Sequence, residues 1–206
     1  MIEFFFDCSS PWTYLAFRNI KPLAAELALD IRWRPVLVGG IFNRVNTGIY
    51  AAREDLNTPK NRYILKDVQD CARAIGLRMA FPPKVFPVNS VKAMRGCLWI
   101  AQDAKAQSRF LAFVEATFAA YFTRQEDISQ DAVLTALCEQ TGIDAAAFMA
   151  GIAQADIKSA LKANTDEAIQ RGAFGVPTFF IGEDMYFGND RLPMAVAAAR
   201  SAASAS

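Results

Sequence analysis

Histidine is missing from all 206 positions of the chain. Its absence removes Ser-His-Asp and Cys-His catalysis and argues against a zinc site. Cys8, Cys71, Cys97 and Cys138 are scattered with no Cys-x-x-Cys pair, and they read as buried free thiols rather than disulfide partners. Neither sign of charge prevails. With 22 basic against 21 acidic residues the net charge is +1, which gives no footprint for nucleic acid. No apolar run approaches the roughly 20 residues of a membrane span. Phe4-Phe5-Phe6 is also too short for the apolar part of a secretion signal, so a cytoplasmic protein without a membrane partner is expected. Chemistry in such a chain needs another base, or a nucleophile that arrives with a cosubstrate.

What the chain has is apolar bulk. Hydrophobic residues make up 53% of it and Phe alone contributes 16, which marks a globular protein with a full core. Ile2 to Phe6 reads as a buried strand. Ser10-Pro11 then reads as a helix start, because serine is a favoured N-cap and proline costs nothing at the first helical position. That helix is expected to run to about Ala28. Asp30 to Val36 alternates as a second strand, which makes a parallel βαβ unit.

Gly39-Gly40 and Asn43 to Thr47 read as loop. A helix follows from Lys60 to about Ile75, closed by Gly76. Phe81-Pro82-Pro83 and Phe86-Pro87 form a stiff aromatic connector. Ser90 opens another helix, with Met94, Leu98, Ile100 and Ala101 inward, and the aromatics of Arg109 to Phe122 read as a core stripe. Ser129 is expected to cap a helix over Asp131 to Gln140 ended by Gly142, and Asp144 a short one to about Ala150. Helix continues from Ala153 to about Arg171.

Phe174 to Ile181 reads as a strand and Gly182-Glu183-Asp184 as a tight turn. Met185-Tyr186-Phe187 then pairs back. A last helix starts near Arg191, with a frayed tail from Ala202. The expected order is therefore βαβ, helices, ββα. Residues 1–38 and 170–206 would form one α/β domain, and residues 39–169 an all-helical insertion.

Three places attract attention. Ser10 would hold its hydroxyl at the positive end of a helix dipole, where an anion is readily bound. At Val176-Pro177 the residue before proline is extended and the bond can be cis. Val176 would keep its N–H and C=O open to an extended peptide. At Gly188-Asn189-Asp190, helix-start amides suit a carboxylate while Asp190 suits an ammonium.

Together these stretches carry a resemblance. Asp7-x-x-Ser10-Pro11-x-x-Tyr14-Leu15, Phe174-Gly175-Val176-Pro177-Thr178 and Phe187-Gly188-Asn189-Asp190-Arg191-Leu192 resemble the 2-hydroxychromene-2-carboxylate isomerases and the related kappa-class glutathione transferases. Both have a thioredoxin-like α/β fold of DsbA type with a large helical insertion. In the DsbA-like relatives the turn reads Cys-Pro-x-Cys. Ser10 and Thr13 stand at those positions here, so the chain is not expected to be a thiol oxidant. Cys8 comes two residues early, is expected in the strand, and reads as structural.

The resemblance implies glutathione as cofactor and Ser10 as the catalytic residue touching its sulfur. Val176, with Pro177, would pair with the cysteinyl backbone; Gly188, Asn189 and Asp190 would hold the γ-glutamyl end. Lys60 would face the glycyl carboxylate, with Asn46, or Asn43 close behind, nearby. It also implies a small aromatic carboxylate substrate, an apolar slot from Trp12, Phe42 and Phe86, a segment at Asn89-Ser90, and Arg44 or Lys60 as the cation for the carboxylate. A homodimer is a further implication. The alternatives are a kappa-like transferase that conjugates electrophiles, and a non-catalytic thioredoxin-fold binding module.

Overall fold

The computed structural model describes residues 1–55 and 57–204. Strand β1 (Ile2–Phe6), helix α1 (Pro11–Glu26) and strand β2 (Ile31–Pro35) open the chain as expected, with β1 and β2 parallel from Ile2↔Ile31 to Phe6↔Pro35. Among the described residues eight α-helices follow: α2 (Val38–Val45), α3 (Gly48–Glu54), α4 (Pro59–Ala74), α5 (Val91–Gln102), α6 (Phe110–Phe118), α7 (Asp131–Thr141), α8 (Ala145–Gly151) and α9 (Ala155–Gln170). The chain closes with β3 (Thr178–Ile181), β4 (Asp184–Phe187) and α10 (Leu192–Ser204). The sheet order is β2-β1-β3-β4, with β1–β3 and β3–β4 antiparallel. This is a mixed open sheet flanked by helices, a thioredoxin-like fold with a large helical insertion between β2 and β3.

The alternation of β1 divides the core. Ile2, Phe4 and Phe6 face one side with Phe17, Phe118 and Phe179, and the Phe4 and Phe179 ring centroids lie 4.7 Å apart. Phe5 faces the other side with Phe180, Val36, Ile41 and Ala168. Each fully buried Phe contributes about 1.5–3 kcal/mol, so this five-residue strand is a main source of stability. The expected aromatic stripe is core: Phe110, Phe113, Phe118, Tyr121 and Phe122 are all buried. The last two sit in a widened π turn, Ala119–Thr123, that continues α6.

Several expectations are corrected. The loop read at Gly39-Gly40 and Asn43 to Val45 is helix α2. Gly40 serves close packing rather than a turn, since a Cβ there would lie 3.2 Å from Thr165 Cγ2 of α9. The helix start is held from a distance, by Thr165 Oγ1 accepting from Leu37 N at 3.1 Å and Asp7 Oδ2 accepting from Val38 N at 2.9 Å. Strand β3 begins at Thr178 rather than Phe174, because Thr178 Oγ1 donates to Gly175 O and bends residues 175–178 into a turn. Cys8 lies in the turn after β1, not in the strand. Gln130, not Ser129, caps α7, because Asp127 draws the Ser129 amide into a local turn. Ala101 is exposed, and Ala93 and Cys97 complete the inner face of α5. Ala202 and Ala203, expected to fray, continue α10, while Ala205 and Ser206 lie outside the described residues.

Candidate active site

The turn after β1 sets the site. Ser10 has extended backbone and caps α1, its Oγ accepting from Thr13 N at 3.2 Å, with Pro11 in the first helical position. Its own proton goes to the Val176 carbonyl over a long 3.4 Å. A bond that long is weak and leaves the hydroxyl able to turn toward a stronger acceptor. The Val176 carbonyl, read as open, is therefore engaged by Ser10. The Val176–Pro177 bond is cis, as are Phe81–Pro82 and Phe86–Pro87.

A cavity of about 650 Å³ opens above Ser10. That volume falls within the range of small-molecule sites. The first turns of five helices line it: Pro11 and Trp12 of α1, Val38 to Gly40 of α2, Ile49 and Tyr50 of α3, Lys60 and Asn61 of α4, and Val91 of α5 behind Ser90. Thr13 N, Val38 N, Asn61 N and Val91 N are already taken by Ser10, Asp7, Thr58 and Asn89, but the positive ends of the helix dipoles remain and together favour an anion. Lys60 is the sole cation among the described lining residues, and none of those is Asp or Glu. Most of the rest of the wall is apolar and aromatic, with Trp12, Phe42, Tyr50, Phe86, Phe174 and Phe187.

Of the residues singled out in the sequence, Ser10, Trp12, Phe42, Asn46, Lys60, Phe86, Asn89 and Val176 all line this cavity. Arg44 does not. It sits on the outer side of α2, paired with Asp166 of α9. Asn43 accepts from Tyr50 Oη at 2.6 Å, while Asn46 reaches the Phe174 carbonyl at 3.2 Å. Pro177 and Gly188 to Asp190 lie beside the lining. The Gly188 amide donates to the Pro177 carbonyl, Asn189 accepts from Asn19 of α1, and exposed Asp190 pairs with Arg191. Gly188 has a φ of +99°, where a Cβ would be 2.7 Å from Asp190 Oδ1.

Two of the protein's buried thiols are poor nucleophiles. Burial, reinforced by Cys97 and the Asp7 charge, pushes the Cys8 thiol well above its ordinary range, and burial pushes Cys138 up to about 12. A thiol held protonated does not attack. One residue the sequence quoted but gave no role is Asp7. It is fully buried, and that burial raises its pKa although Ser9, Val38 and Ser90 all donate to it. Its partners lie 31 and 83 residues away in the case of Val38 and Ser90, beyond the reach of any local pattern.

The sequence model of the DSBA-like thioredoxin domain matches residues 1–199. The chain belongs to this family. Within it, the DSBA-like chain described here is 29% identical to a 2-hydroxychromene-2-carboxylate isomerase of Pseudomonas putida, over 94% of this chain and 91% of that one. It is 26% identical to glutathione S-transferase kappa 1 of Rattus norvegicus, over 94% and 88%. A solved 2-hydroxychromene-2-carboxylate isomerase superposes with a TM-score of 0.80 at 27% identity, covering 100% of this chain and 98% of that one. At family level this likeness supports an isomerase-type catalytic role. No helix among the described residues is long and apolar enough to cross a membrane.

Proposed function

We propose that this protein is a glutathione-dependent isomerase interconverting 2-hydroxychromene-2-carboxylate and trans-o-hydroxybenzylidenepyruvate. The observation that carries the reading is Ser10, a helix-capping hydroxyl with only a long hydrogen bond to give up, at the base of an aromatic cavity lined by several helix starts. With Thr13 fully buried behind it, the turn holds no pair of thiols for redox cycling. The relatives named above support the same reading through their own activities.

The residues present fit glutathione. Ser10 faces the thiol, Lys60 the glycyl carboxylate, Val176 the cysteinyl backbone, and Asn189 with Asp190 the γ-glutamyl end. When bound, glutathione supplies the thiolate that adds reversibly to the conjugated double bond, so that rotation becomes possible there. Ser10 favours that charge by turning its O–H from Val176 toward sulfur, and the α1 dipole adds to it. At about 1–1.5 kcal/mol each, the two make thiolate the main form at neutral pH. Trp12, Phe42 and Phe86 sandwich the aromatic ring and exclude water. With Arg44 held outside by Asp166, the substrate carboxylate is left to Lys60 and the positive ends of the helix dipoles.

The test is turnover of 2-hydroxychromene-2-carboxylate with and without added glutathione. Turnover that requires glutathione and does not consume it is the expected result. Steady consumption of glutathione with a chlorinated nitrobenzene, without isomerisation, would instead make the protein a kappa-like transferase. No binding of glutathione would leave a non-catalytic module.

A further inference from the structure

We propose that Asp7 is a positioning residue, a buried anion that ties three walls of the cavity into one geometry. Its Oδ1 accepts from Ser9 N and Ser9 Oγ, both at 2.9 Å, which fixes the turn carrying Ser10. Its Oδ2 accepts from Val38 N at 2.9 Å, the first amide of α2, and from Ser90 Oγ at 3.0 Å, the residue that opens α5. Ser9, Val38 and Ser90 all line the cavity, while Asp7 itself stands behind it. One carboxylate thus reaches the turn, α2 and α5 from the centre.

Two features separate this from ordinary capping. Ser90 makes no side-chain cap to its own helix and spends its hydroxyl on Asp7 instead. And Asp7 has no cationic partner among the described residues, so four neutral donors alone hold the charge. A protonated or amidated side chain can no longer accept from all four. Removing the charge therefore releases at least one wall rather than merely weakening a contact.

The role in turnover rests on the glutathione reading above, and the effects divide accordingly. Lys60, Val176, Asn189 and Asp190 are not bonded to Asp7, so glutathione affinity should hold. The sulfur beside Ser10 and the ring between α2 and α5 are the parts that shift. Misplacement by about 1 Å is worth about a hundredfold in rate.

The experiment compares wild type with Asp7→Asn and Ser90→Ala. For Asp7→Asn we expect kcat to fall at least about tenfold with glutathione Kd changed less than about twofold. Amide hydrogen exchange at Val38 should quicken by about tenfold, since a first-turn amide has no acceptor within its helix. Ser90→Ala keeps the charge and loses one donor, so an intermediate fall in kcat is expected; if Asp7→Asn does not fold, this variant decides. Unchanged kcat in the folded variants, or a loss confined to glutathione affinity, overturns the proposal. If wild type shows no chromene turnover, the isomerase reading fails, and the Val38 exchange still decides: equal rates in wild type and Asp7→Asn overturn the tie.

Discussion

Two carboxylates stand at opposite ends of one strand segment and are treated in opposite ways. Glu3, within β1, meets guanidinium groups: Arg171 at 2.7 Å, Arg34 at 2.8 Å and Arg32 at 3.8 Å. Those arginines are themselves fixed, Arg34 by Glu167 and Asn164, and Arg171 over the Phe180 ring at 3.8 Å. Asp7, just past β1, meets two amides and two hydroxyls. The first arrangement neutralises charge and joins β1, β2 and α9. The second leaves a net charge buried beside a cavity, which is costly unless every lone pair is used. One end of the segment is built to hold the fold together, the other to hold a shape.

The largest expected effect breaks the comparison if it fails. Ser10→Ala, at the Asp7 end, should lower kcat by about a hundredfold, as loss of a single stabilising donor does. It should cost only about 1 kcal/mol of stability from the lost cap. Steady-state kinetics and thermal unfolding together check this, and near-normal turnover would refute the role of the hydroxyl. At the other end, Glu3→Gln should behave in reverse, with kcat unchanged and stability reduced by about 2 kcal/mol as partly buried guanidinium groups lose their partner. A Glu3→Gln protein with impaired turnover would dissolve the distinction.

The smallest effect sharpens it. Burial alone would raise the Glu3 pKa, but the hydrogen bond from Arg171 and the charges of Arg171, Arg34 and Arg32 outweigh it and hold the group below its ordinary value. Its stabilisation is thus present above the ordinary carboxylate pKa and lost as pH falls through the lowered one. Asp7 is shifted upward by burial, with the thiol of Cys8 beside it and that of Cys97 against Cys8. Its contribution is complete below the ordinary carboxylate pKa and is lost as pH rises through the raised one. Melting temperature measured against pH should then fall less on the acid side for Glu3→Gln than for wild type, and more steeply for Asp7→Asn. Parallel curves would show the two carboxylates to be equivalent.

How much of this was legible in the sequence divides along the same line. Ser10-Pro11, the Gly76 and Gly142 helix stops and the aromatic stripe are local patterns, and local patterns were enough for β1, α1, α4 and α6. Part of the cavity wall was also foreseen, at Ser10, Trp12, Phe42, Asn46, Lys60, Phe86, Asn89 and Val176. Helix α2 was not, because two glycines near a strand end signal a turn when Thr165 and Asp7 cannot be seen. Arg44, offered beside Lys60 as the cation for the carboxylate, met the same limit: its partner Asp166 lies 122 residues further along. Asp7 sat in a quoted motif without a role, since its work is done by donors from α2 and α5.

Helices α1, α4 and α5 all begin at the cavity, yet their closing residues Leu27, Ile75 and Asp103 take no part in it. With 16 residues, α1 and α4 carry their far ends roughly 24 Å away at about 1.5 Å per residue. Residues can therefore be inserted, or a fused partner spliced, beyond those distal tips while the floor of the site keeps its register; trimming is limited by Leu27 and Leu77, which pack against the core. The architecture separates where the molecule is free to vary from where it must stay the same.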